Sequence, residues 1–179
     1  MFENVRLKVG ITYSRFHFRK AKDQILRFTE AVHRANSALV ILPEAATDSE
    51  SLQTVLKYLV RRFSSGHLTV AAREDILASL RMSEKTPTLL FSPRDFNAWF
   101  VPRKDLLRKM KRGTFDVAFD LNVNLALPSA FLCRASDAPL RVGFAKSHAD
   151  QFYNFQIQTR ARSNSSFAYR TLLNCLEMF

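Results

Sequence analysis

Glycine is scarce in this chain: Gly10, Gly66, Gly113 and Gly143 are all there is in 179 residues. A phosphate-cradling loop or a dinucleotide fingerprint needs clustered glycines for close backbone approach, and these four are too widely spaced to build either. A tightly held nucleotide cofactor is not expected, and the sequence implies no other cofactor and no metal. Cysteine is scarcer still, since Cys133 and Cys175 stand far apart in no metal-ligand spacing. That excludes a zinc site or a disulfide framework and leaves both as small buried side chains. His-x-x-x-His pairs and nucleophile elbows are absent, and with them the most recognisable metal-hydrolase and acyl-transfer signatures. No apolar run approaches the roughly 18 residues of a membrane span, and the first residues lack a secretion signal. The expected location is cytoplasmic, with peripheral attachment to the inner membrane as an option.

Acidic residues are also few: 16, against 27 Lys and Arg, for a net charge of +11. The basic excess concentrates in Arg15–Arg34 and Arg103–Arg112 and suits anionic partners: nucleic acid, lipid headgroups or phosphorylated small molecules. A solvated basic helix face is the plainer reading of the same residues. What the chain has in quantity is apolar material, 47% hydrophobic residues including 16 Phe. This is ample for one domain over 1–179 with its own core.

The apolar residues come in short runs, Ala38–Leu42, Leu68–Ala72, Thr88–Phe91, Val117–Leu121 and Leu140–Phe144, separated by helical patterns. Strands apolar on both faces and alternating with helices predict an α/β, three-layer Rossmann-like domain with a mostly parallel sheet of about five to six strands. After the first run, Leu52, Val55, Leu56, Leu59 and Phe63 form one helical stripe, with Lys57, Arg61 and Arg62 outward and Gly66 as the expected stop. The segment Arg103–Arg112, between Pro102 and Gly113, predicts a second helix that buries Leu106, Leu107 and Met110. A leading helix is expected within 18–36, an edge strand within Phe152–Thr159, and a closing helix over Phe167–Met178.

Open parallel sheets bind ligands beyond the carboxyl ends of their strands. That rule selects Glu44, Thr47 and Asp48 in one loop, Asn122 and Asn124 in another with Asp120 at its strand end, and Lys146 and His148 after the last core strand. Together they offer the carboxylates, amides and cation that position a sugar or a phosphorylated substrate. Asp48 precedes a helix and has two readings, an N-cap or a general base held by the same geometry. His148 reads either as an acid or base or as a solvated loop residue.

The segment Pro43–Phe63, PEAATDSESLQTVLKYLVRRF, resembles the first strand–loop–helix of the bacterial heptosyltransferases, glycosyltransferase family 9. The strand HLTVAA (His67–Ala72) and the block Phe115–Phe144 resemble that family as well, so the likeness spans Ala38 to Lys146. The resemblance implies the acceptor-side, amino-terminal half of a two-domain GT-B transferase, with Asp48 in the position of the catalytic base. Thr47 stands where the family has glycine, and no counterpart of the donor-binding domain is evident. The block Asp95–Asn122 is also similar to a short bacterial family of unknown function, with Trp99 and Phe100 as structural anchors.

The resulting expectation is a stand-alone glycosyltransferase-like domain, 38–146 forming its transferase-like core and 147–179 an edge strand and closing helix. It would lack transferase activity by itself. Its expected partners are an anionic glycan or phosphosugar, a membrane surface, or a chain that supplies a donor domain. The alternatives are a basic nucleic-acid-binding module and a small carbohydrate-active enzyme using Asp48 with Asp120.

Overall fold

The computed structural model describes residues 2–23, 26–44, 49–79, 86–159 and 164–178. In chain order the elements are α1 (Phe2–Phe18), α2 (Phe28–Arg34), β1 (Ala38–Ile41), α3 (Ser49–His67), β2 (Leu68–Arg73) and α4 (Glu74–Ser79). Then come β3 (Thr88–Phe91), α5 (Lys104–Met110), β4 (Val117–Asp120), α6 (Leu127–Ala135), β5 (Leu140–Phe144), β6 (Phe155–Ile157) and α7 (Ser165–Glu177). The six strands form one parallel sheet in the order β3-β2-β1-β4-β5-β6. This is the Rossmann-like α/β architecture that the alternating apolar runs predict.

Alternation within each strand assigns the two cores. Ala38 and Val40 of β1 face the layer that contains Leu52, Val55, Leu56, Leu59 and Phe63 of α3 and Leu172 and Leu176 of α7. Leu39 and Ile41 face the other layer, where Ile11 of α1, Leu106 and Met110 of α5, and Leu127 and Phe131 of α6 pack. A strand covered on both faces cannot show a polar side, which is why these runs read as continuously apolar.

Local signals place several boundaries. The chain turns back after α5, where the Gly113 amide donates to Met110 O at 3.2 Å, and a Cβ on Gly113 would lie 2.7 Å from the Phe115 ring. Asn164 caps α7, its side chain accepting from the Phe167 amide at 3.0 Å. Gly66, expected as a stop, lies within α3, which continues to His67.

The amino-terminal region departs most from expectation. In place of one leading helix at 18–36, α1 occupies Phe2–Phe18 and α2 only Phe28–Arg34. Between them Asp23 is drawn to Arg134 and Arg141, two buried arginines of α6 and of β5. Arg141 further donates to Phe152 O at 3.0 Å and Ala138 O at 2.7 Å, so a charged residue is accommodated in an otherwise apolar strand. Among the described residues, no helix is long and apolar enough to cross a membrane.

Candidate functional site

The strand order reverses between β1 and β4, so the chains leaving their carboxyl ends diverge and open a crevice. Asn122 spans it. Its Oδ1 accepts from the Glu44 amide at 2.9 Å, while its Nδ2 donates to Leu42 O at 3.3 Å and to Asp120 Oδ1 at 2.7 Å. One side chain thus fixes the loop after β1 to the loop after β4. Its own backbone amide also donates to Asp120 Oδ1, at 3.0 Å.

Asp120, the last residue of β4, is fully enclosed. Its Oδ2 accepts from the Tyr153 hydroxyl at 2.5 Å, and the Lys146 ammonium stands 3.9 Å away. Lys146 donates to Asn122 O at 2.5 Å and to Asn124 O at 3.2 Å, and lies 5.1 Å from the Tyr153 ring centroid. Burial lowers the Lys146 pKa while the Asp120 charge opposes that shift. Burial and the same carboxylate push the Tyr153 hydroxyl well above its ordinary value. Space for the Tyr153 ring comes from Gly143, where a Cβ would sit 2.8 Å from three ring carbons. Carboxylate, phenol, amide and ammonium are partnered by one another and by backbone carbonyls, so this cluster reads as a rigid support.

Beside it lies an open cleft of about 400 Å³. Glu44, Arg73, Phe91 and Ser92 contribute from the ends of β1, β2 and β3, Leu125–Pro128 from the turn into α6, and Glu3, Arg6 and Leu7 from α1. The Glu44 carboxyl is half-buried, and its pKa is raised by burial first and by Asp120 second, with Arg73 pulling the other way. Arg73 is aimed by a two-pronged contact with Asp75, at 3.0 and 2.6 Å. Arg6 donates to Ala98 O at 2.6 Å, and its guanidinium covers the Phe100 ring at 4.5 Å. An acid that is partly desolvated at a sheet's carboxyl edge, beside the Arg73 guanidinium and in a cleft that Arg6 and an apolar wall also line, suits a ligand bearing both hydroxyl and anionic groups.

The structure therefore brings Glu44, Asp120, Asn122 and Lys146 together, with Asn124 contributing its carbonyl. Only Glu44 of these lines the cleft. His148 stays apart, exposed in a left-handed conformation (φ 64°) with its ring 3.5 Å from Gln151 Nε2. Thr47 and Asp48 lie outside the described residues. The residue pattern does not single out Arg73 or Tyr153. Arg73 closes a strand whose carboxyl end belongs to the selected edge, which is signal enough; for Tyr153 the only hint is a glycine inside the β5 strand. Trp99, expected as an anchor, has an exposed side chain, whereas Phe100 packs against the core.

A parallel sheet of this order with a cleft at its switch point defines a Rossmann-like domain. The chain is similar in structure to a glycosyl transferase family 9 protein from Veillonella parvula DSM 2008, with a TM-score of 0.56 and 15% sequence identity. The likeness covers 80% of this chain and 42% of that protein, so the chain spans under half the length of its structural neighbour. No curated protein sequence matches the chain. Residues 15–177 match the model of a family of unknown function, DUF6913, and the chain belongs to that family.

Proposed function

We propose that this protein is a glycosyltransferase-like domain corresponding to the acceptor-side half of a heptosyltransferase, and that it binds an anionic glycan or phosphosugar in the cleft beside Glu44. The observation that carries the reading is the Glu44 carboxyl: half-buried, with a raised pKa, at the switch point and flanked by Arg73. Such a carboxyl accepts from, or when protonated donates to, a sugar hydroxyl, while Arg73 and Arg6 favour the anionic group. The Asp120–Asn122–Tyr153–Lys146 cluster holds the two loops at fixed separation. Asp48, four residues further along the same connection, is the candidate base by resemblance. Sugar transfer in this proposal uses a donor-binding unit outside these 179 residues, for which a partner chain is the candidate source, and the work is done in the cytoplasm.

The test is calorimetric binding of a hexose phosphate, an ADP-sugar and a short oligonucleotide at low and high salt. Expected is binding of a sugar ligand that survives high salt and weakens about tenfold or more in Glu44→Gln, the scale of one lost charged hydrogen bond. Binding confined to the oligonucleotide, falling steeply with salt, would replace this reading with a nucleic-acid role.

A further inference from the structure

Helix α1 is apolar on two faces, and only one of them is covered. Inward, Ile11 is buried with Gly10 and Ser14 and Leu7 packs against the same core. Gly10 lies so close to the rest of the molecule that a Cβ there would be 2.2 Å from Trp99 O and 2.5 Å from the Leu127 side chain. The helix is thus seated firmly. Outward stand Phe2, Val5, Val9, Tyr13 and Phe16, with Phe2 87% and Phe16 63% exposed. At about 100° per residue these five fall in one arc of roughly 80°, a continuous stripe along the helix.

The flanks of that stripe are basic. Lys8 and Arg15 border one side and Arg6 and His17 the other, and exposed Arg19, Lys20 and Lys22 follow the helix. Between Phe2 and Lys22 there are six Lys or Arg and one acidic residue, Glu3. Two copies of this helix packed stripe to stripe would set Lys8 and Arg15 against their equivalents, a like-charge arrangement that opposes self-pairing. A bilayer with anionic headgroups satisfies both features at once: the aromatic and aliphatic side chains enter the acyl boundary while the cations meet phosphate. We propose that α1 docks this protein in the plane of an anionic lipid surface. The inference stands independently of what the cleft binds.

The test is flotation of the purified protein with mixed phosphatidylcholine–phosphatidylglycerol vesicles and with pure phosphatidylcholine vesicles. Flotation is expected with the mixed vesicles and to be much weaker with the neutral ones. Phe2→Ser with Phe16→Ser should lower partitioning about tenfold or more, because two phenyl groups no longer leave water. Lys8→Gln with Arg15→Gln should lower it about fivefold per charge and reduce its salt sensitivity. All four sites are exposed, so circular dichroism and melting should match the unaltered protein. No flotation with anionic vesicles, or flotation unchanged by the serine pair, overturns the proposal. So does a concentration-dependent dimer in light scattering that the serine pair abolishes without lipid binding, which assigns the stripe to a second copy.

Discussion

Two carboxyl groups stand at the ends of adjacent strands, and the protein treats them in opposite ways. Asp120, the last residue of β4, has its partners supplied by the chain: Tyr153, Asn122 and Lys146. Glu44, after β1, has its backbone amide fixed by Asn122 while its carboxyl borders a cleft and carries a raised pKa. A carboxylate that is fully satisfied rigidifies; one that is desolvated without full compensation is held ready for something else. The contrast teaches that burial alone does not mark chemistry, since the more buried acid here is the structural one.

The comparison is broken most severely by Lys146→Met, which leaves the Asp120 charge enclosed without its cation. Loss of about 3–5 kcal/mol is expected, read by urea denaturation. Next, Gly143→Ala drives a methyl group into the Tyr153 ring; about 1–3 kcal/mol should be lost, and Tyr153→Phe, which removes the hydroxyl donor, should cost a similar amount.

Asp116 extends the contrast to the other end of β4. Burial would raise its pKa, but donation from the Asn36 amide, the Ser37 amide and Ser37 Oγ lowers it overall. A carboxyl lowered in the folded state adds stability that is present above its ordinary pKa and lost as pH falls through the folded value. Asp116→Ala should therefore cost about 1 kcal/mol near neutrality, small because the group is exposed, and the difference in Tm should vanish in acid.

Glu44 gives the smallest change in stability and the opposite sign. Its raised pKa means that the stabilising protonated form is complete below the ordinary value and is lost as pH rises through the folded value. Glu44→Gln should consequently melt above the unaltered protein near neutral pH and coincide with it in acid. Failure of the two profiles to converge there would remove the claim that Glu44 is held under strain.

Much of this architecture is legible in the residue pattern. Strands buried on both faces are continuously apolar, and the stripe Leu52–Val55–Leu56–Leu59–Phe63 has the period of a helix packed on a sheet. Helix α1 escapes such reading because its inward Leu7 and Ile11 and outward Val5 and Val9 together erase the amphipathic period. Helix α2 is shorter than its pattern, and Asp23, which that pattern includes, is instead committed to Arg134 and Arg141, contacts over more than a hundred residues that no local signal carries. In the same way the strand-end rule finds Glu44, Asp120 and Lys146 but not which way each points. That depends on Tyr153, 33 residues beyond Asp120, occupying space left by Gly143.

The most direct measurement is calorimetric titration of a hexose phosphate into the unaltered protein, Glu44→Gln and Tyr153→Phe at high salt. The account predicts binding by the unaltered protein, weakened about tenfold or more in Glu44→Gln. Tyr153→Phe, although less stable, should bind nearly as the unaltered protein does wherever it remains folded. Equal affinity in Glu44→Gln, or no binding by the folded, unaltered protein, would contradict the assignment of the open carboxyl as the working one.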